Sequence, residues 1–517
     1  MSNNISTQTT DEKRPRRGMA GILRRILFVV ACLVTLIALY YAEENWRGKR
    51  AWYKFKTEWE AKGEKFDLQS FVPPPVPDDQ NFAMTPFLAP IFDYNPRPLQ
   101  PGQALYKDTN AVNRIMNFAN DLGYPDSSAV WAKSQPTDLQ AWAVGIQKKL
   151  DGKAPAAPPA TRTEAATEIL KALEKYQPVL DEIQAASRRP YSRFNVNYAA
   201  EFPATILLPH LAVIKRMAQI YGLRASSELA LGKNDAASAD VNIAVYLSGT
   251  MKDEPFLISG LVRIAILQLA FPHIWEGLAT HQWTDAQLVE FETELRKIDL
   301  LAEYGVTMRG ERALGNGDLD YLSRHRGAHE MFGQGGSETG FPGMPSGWWY
   351  QNQVIINRMH QEFLLPPVDA ANHHVDAEKA SSYGSALDQE FSGGFPPYKI
   401  LAKMLLPALD KAINKYAFAQ ANLDLARVAC ALERYRIANG QYPDSLTALS
   451  PQFITTVPND VISGEALKYR RTEDGNFLLY SVGWNGKDDG GNVAMTTGTT
   501  PHMDQMQGDW VWPPYRE

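Results

Sequence analysis

Seventeen consecutive residues without a charge, Ile26 to Ala42 (ILFVVACLVTLIALYYA), constrain this chain more than any other feature. At about 1.5 Å per residue the run falls just short of a hydrocarbon core about 30 Å thick, so flanking groups must complete a span. Arg24 and Arg25 can snorkel at one end, while Tyr40, Tyr41 and Trp46 suit the headgroup region at the other. Cleavage as a secretory signal needs small residues at positions −3 and −1, but a cut after Ala42 puts Tyr40 at −3 and a cut after Ala38 puts Leu36 there. The reading is therefore an uncleaved anchor over residues 22–42 that contacts the lipid bilayer, behind a basic tail over residues 1–21. Cys32 lies inside the run and not just after it, which argues against a lipoprotein.

Orientation follows less directly, because six Lys or Arg stand in residues 1–25 and seven in residues 43–65. Position decides: Arg24 and Arg25 abut one end of the span and Glu43 and Glu44 the other. The expectation is a cytoplasmic N-terminus with the bulk of the chain on the far side.

The remaining 475 residues or so are ordinary globular material, since 44% of the 517 residues are hydrophobic and 21% charged. The formal net charge is −6 and no dense Lys/Arg run lies outside the N-terminal tail, so nucleic acid is excluded as a partner. Cys32 and Cys430 cannot pair in one folded chain, so there is no disulfide framework.

Hydropathy patterning divides the chain further. Trp52, Phe55 and Trp59 form a stripe on an amphipathic juxtamembrane helix over 43–65, packed on its own domain or lying on the headgroups. Residues 66–160 are Pro-rich and poorly defined, bracketed by VPPPVP (Val72–Pro77) and APAAPPA (Ala154–Ala160), which read as spacers. Over 161–330 the pattern is helical. Leu211, Ile214, Ala218, Ala225 and Leu229 recur at helical spacing, Gly232-Lys233-Asn234-Asp235 breaks it, and Ala237, Val241, Ala244 and Val245 resume it. This predicts a helical hairpin ending before Pro255, tetratricopeptide-like from Leu223 to Pro255 but without a second clear copy. Thr284 and Gln287 make a capping box, with Leu288, Phe291, Leu295, Ile298 and Leu301 on the buried face beyond.

Residues 331–398 hold a Gly-rich loop and a connecting helix. Over 399–517, Leu409, Ile413, Tyr416, Ala419 and Leu423 mark a long helix stopped by Gly440 and Pro443. Two extended runs, Ala466–Arg471 and Asn476–Val482, joined around Asp474-Gly475, then predict a β-hairpin. The fold class is mainly α: one N-terminal transmembrane helix, a helical body and a small C-terminal α+β module.

The C-terminal residues carry a resemblance. The order Ala431-Leu432-Glu433-Arg434-Tyr435-Arg436, Asn439-Gly440-Gln441-Tyr442-Pro443, Pro458-Asn459-Asp460, Gly464 and Tyr480 to Gly491 resembles the globular domain of the type II secretion major pseudopilin over about the last 100 residues. It also looks like a group of bacterial membrane-anchored envelope proteins that join such a tail to a helical body. The resemblance implies the bacterial inner membrane, a periplasmic bulk, an envelope protein partner and a Ca²⁺-binding loop, with Asn485, Asp488, Asp489 and Asp509 as ligands. Asn485 stands where the family has an acid, and Asp489 at a one-residue insertion, so a polar surface loop is the alternative. Pseudopilins begin with a processed Gly-Phe-Thr-Leu-x-Glu. Here Gly21 is followed by Ile22-Leu23-Arg24-Arg25-Ile26 with no Glu at the fifth place, which argues against filament assembly by that route.

Of catalytic patterns, His325 and His329 stand at i and i+4 and could face one metal, with His360, His373 and His374 as further ligands. The segment lacks the Glu of known metalloprotease motifs, and Gly327 weakens a helix there. Asp318 and Asp320 are a candidate carboxylate pair, and Arg309, Glu311 and Arg312 read as ion-pairing residues. No nucleophile elbow, phosphate loop or dinucleotide fingerprint is present, and no small-molecule substrate is indicated. The expectation is a non-catalytic single-pass envelope protein, a protein-interaction or secretion-related assembly module. The alternative is a membrane-anchored metal-dependent hydrolase using His325 and His329.

Overall fold

The computed structural model describes residues 18–95, 105–120, 122–125, 131–153, 155, 157–325, 344–392, 397–409, 411–496 and 503–514. The fold is mainly helical. Its first element, α1 (Gly18–Glu60), carries the apolar run and continues without a break through the stretch expected to form a separate juxtamembrane helix. No proline interrupts it, and at about 1.5 Å per residue it is about 64 Å long. Its apolar part is long enough to cross a membrane and is wholly exposed. Further along, Trp52 is buried against Phe55 and Phe66, where the chain turns back onto the helix, so the aromatic stripe packs on its own domain.

The Pro-rich stretch holds more structure than expected: α2 (Thr109–Asn120), α3 (Leu139–Asp151) and several 3₁₀ turns. Then come α4 (Arg162–Leu173), opened by a Thr161/Glu164 capping box, and α5 (Gln177–Ala186). The hairpin appears as α6 (His210–Ala230) and α7 (Asn234–Gly249), and α8 (Leu257–Ala279) packs on both. α8 also has the length and composition of a membrane span, but it is largely buried in the protein core. α9 (Asp285–Arg296) starts at the Thr284/Gln287 capping box. It ends earlier than the apolar spacing suggests, because the Asp299 side chain accepts from Ala302 N and starts α10 (Leu300–Arg324), leaving Ile298 in the turn and Leu301 in the next helix.

α11 (Ser346–Met359) crosses α1 at two glycines. A Cβ on Gly48 would lie 2.1 Å from the Gly347 carbonyl oxygen, and one on Gly347 would lie 1.8 Å from that of Glu44. Only residues without a side chain permit backbones this close. Pro345 precedes α11 and gives no side-chain cap, and Asn45 Oδ1 of α1 accepts the Gly347 N–H at 2.9 Å instead. Beside it the buried Glu44 carboxylate accepts from Gln351 Nε2 at 2.9 Å and pairs with Arg47. Glu64, just past α1, holds Arg309 and Arg312 of α10 at 2.9 and 2.8 Å.

A short antiparallel pair, β1 (Val368–Asp369) and β2 (His374–Val375), leads to α12 (Ala377–Phe391), α13 (Ile400–Leu405) and α14 (Ala412–Asn439). Gly440, at φ +76°, closes α14 in the left-handed conformation glycine tolerates best. α14 is buried over most of its length, between α8, α9 and α10 on one side and the C-terminal strands on the other. The expected hairpin is β3 (Lys468–Arg471) and β4 (Phe477–Ser481), with Lys468 opposite Tyr480. β5 (Val493–Met495) pairs with β6 (Met503–Gly508), and β7 (Trp510–Trp512) adds to β4, giving the order β3-β4-β7. One hydrophobic cluster runs from Leu68 to Trp512, and Trp275 of α8 donates to the Pro513 carbonyl at 2.8 Å.

Candidate functional site

The motif residues at the C-terminal end are held in two buried polar networks. Glu433 accepts from Tyr442 OH at 2.8 Å, from Arg436 at 2.6 and 2.9 Å, and pairs with His281 at 2.9 Å. Burial alone would raise its pKa, but the hydrogen bonds from Arg436, His281 and Tyr442 outweigh that and hold it down at about 2. Asp460, also fully buried, accepts from Ile462 N and Val482 N at 2.8 Å and from Ser481 Oγ at 3.0 Å. Glu433 thus ties the end of α14 to the Tyr442 turn, and Asp460 ties the connector to the end of β4. Much of the resemblance therefore rests on residues with structural work to do.

The four expected calcium ligands lie together around the loop after β4, already engaged. Asp509 is buried, and its oxygens accept from Gly491 N at 2.6 Å and Asp489 N at 3.2 Å. Burial, with Asp489 and Asp488 adding repulsion, raises its pKa despite those two N–H groups. Asp488 accepts from Tyr480 OH at 2.9 Å and Gly490 N at 3.1 Å and lies 3.6 Å from Lys468 Nζ. Asn485 Oδ1 accepts from Lys487 N, and its Nδ2 donates to Asp489 Oδ2 at 3.0 Å. Among the described residues no group of three or more His, Cys, Asp or Glu is placed to hold a metal ion. As folded, most of these oxygens accept hydrogen bonds within the turn, and Lys468 lies 3.6 Å from Asp488, an arrangement that serves a polar surface turn.

The histidines are dispersed. His325 ends α10, where its Nδ1 lies 3.0 Å from the Tyr321 carbonyl, and His329 lies outside the described residues. His360 is buried against the Ile356 carbonyl, and burial pushes it down to about 4. His373 pairs with Asp424 at 2.7 Å, and His374 meets the Ile462 carbonyl at 3.0 Å. Asp318 and Asp320 do not act together either: Asp318 accepts from Ala204 N at 2.7 Å and Asp320 from Gln353 Nε2 at 2.9 Å. Burial pushes Asp318 up to about 7 against the hydrogen bond from Ala204.

A cavity of about 600 Å³ was not signalled by any local pattern. It opens between the ends of α7 and α9, the first turns of α8, and two extended segments at 73–76 and 189–193. Arg189, Arg193, Lys252, Arg263 and Lys297 line it, against Asp253 and Glu294. Glu294 neutralises Lys297 at 2.7 Å. Among the described residues, the side chains of Arg189 and Arg193 donate to the Asn81 and Pro73 carbonyls, at 2.7 and 3.1 Å. Arg263 is 2% exposed and ion-paired with Glu303, and its Nε has no hydrogen-bond partner among the described residues. Burial pushes its guanidinium down to about 10, still charged at neutral pH. The enclosed Ser192 Oγ, on the 189–193 segment, is also without a partner among the described residues. Comparison with protein-family models, with curated proteins and with solved structures finds no match.

Proposed function

We propose that this chain is a single-pass, non-catalytic scaffold of the bacterial inner membrane, N-terminus in the cytoplasm and bulk in the periplasm, serving as an assembly module for an envelope protein partner. The observation that supports it is the continuity of α1 with the body. The helix that carries the apolar run is fastened to α11 by the Gly48–Gly347 crossing, the Asn45 cap and the Glu44–Gln351 bond. A floppy tether leaves a domain free to tumble, whereas this joint holds every docking face at a set attitude to the bilayer. The pseudopilin-like order of the last 100 residues supports a secretion-related setting. This reading does not call on calcium, since Asp509 and Asp488 already accept hydrogen bonds from backbone N–H groups of the loop.

The test has two parts. In intact spheroplasts, added protease should digest a C-terminal tag, and the tag should stay with the membrane after an alkaline wash. Cross-linking in those membranes should then join the chain to another protein at a defined stoichiometry, and the adduct should be lost when Gly48→Leu loosens the joint. A protected tag would refute the orientation. A chain that cross-links to nothing and sediments as a lone monomer would refute the assembly role.

A further inference from the structure

The basic cavity stands apart from the membrane joint and from the C-terminal loop, and two of its features ask for the same kind of occupant. The first is charge: in a chain of formal net charge −6, five cationic side chains converge on one concavity. Among the described residues, no carboxylate pairs with Arg189, Arg193 or Lys252. Each arginine spends one N–H on a backbone carbonyl and keeps the rest of its five-donor fork. The second is unmet hydrogen bonding. Arg263 Nε and Ser192 Oγ have no partner among the described residues and lie just behind the cavity surface, where unpaired polar groups are costly. Water filling the cavity would leave Arg189, Arg193 and Lys252 without an anionic partner among the described residues.

The volume falls in the range of small-molecule sites. Beside the cations, Tyr246, Pro190 and Ile298 give an apolar wall. We propose that this cavity binds a phosphoryl-bearing ligand, its phosphate oxygens taken by the forks of Arg193, Arg189 and Arg263 with Lys252 at the mouth, and its organic part laid on Tyr246. A tetrahedral oxyanion with several acceptors matches planar forks approaching from different walls better than a single carboxylate does. The phosphoryl group can belong to a soluble phosphate ester or to an anionic lipid headgroup, and the chemistry of the site is common to both.

The test uses the full chain purified in neutral detergent and melted with increasing inorganic phosphate, against sodium chloride of equal ionic strength. A ligand of the folded state raises the melting temperature in a saturable way. The expected result is a rise of several degrees with phosphate alone, a roughly tenfold weaker response for Lys252→Ala, and none for Arg263→Gln. Should Arg263→Gln fail to fold because Glu303 loses its partner, Lys252→Ala still decides, since Lys252 is exposed and its loss leaves the core intact. Repeating the titration with glycerol 3-phosphate, and in nanodiscs of phosphatidylglycerol or phosphatidylcholine, separates the sources. A shift with the free ester in either lipid assigns a soluble ligand, and a shift confined to phosphatidylglycerol discs assigns a headgroup. No shift beyond the chloride control in any of these, or an equal shift in parent and variants, overturns the proposal.

Discussion

Single side chains set the acid limit of this protein. The folded pKa of Glu433, about 2, lies below its ordinary value near 4.5. Its contribution is therefore fully present above the unfolded value and is lost as pH falls through the folded one. Glu64, between Arg309 and Arg312, behaves alike at about 2, its hydrogen bonds outweighing its burial. Stability should fall steeply between about pH 4.5 and pH 2. Glu433→Gln should lower unfolding free energy at neutral pH by about 3 kcal/mol and flatten that acid limb. Denaturant titrations of parent and variant across that range test this, and parallel curves would show that Glu433 is not the group responsible. At the loop after β4 the prediction is a negative one: millimolar Ca²⁺ should leave the melting temperature unchanged. A rise of several degrees that Asp509→Asn abolishes would instead make the loop a calcium site.

At the level of elements, the α1–α11 joint is the most vulnerable point. Gly48→Leu drives a side chain into the backbone around Gly347, and overpacking of this kind costs about 1–3 kcal/mol where the backbone can yield. The variant should melt lower and expose the start of α11 to limited proteolysis, while its membrane association is kept. An unchanged digestion pattern would mean that the two helices are not joined as described. Elements with local signals were legible from sequence: the α6–α7 hairpin through its glycine break, α9 through its capping box, α14 through Gly440, the β3–β4 hairpin through Asp474-Gly475. The joint was not, because Gly48 and Gly347 are each unremarkable locally and acquire meaning only 299 positions apart. Glu44 was misleading for the same reason: it reads as a charge flanking the membrane, yet it is buried against α11.

For the whole molecule, the single core makes two truncations come out differently. Removing residues 1–42 takes away helix that is exposed along nearly all its length, so the remainder should be soluble and melt within a few degrees of the full chain. Removing everything after Gly440 strips the strands from α14 and the Trp275–Pro513 bond from α8, and should leave no cooperatively folded product. A sharp melting transition in that second fragment would show that the body has a core of its own. The basic cavity was illegible for a reason of scale as well. Its cations lie between residues 189 and 297 on several segments, and only the closed fold brings them around one cavity.

The unbroken length of α1 has a mechanical consequence. About 18 residues of it, Glu43 to Glu60, extend past the apolar run, a rigid arm of about 27 Å. This arm is bolted to the body near its root, so helix and body move as one piece. A tilt of the helix by about 10° would move the arm's far end by about 5 Å and turn the whole body with it, so the attitude of the body is fixed by the attitude of the helix.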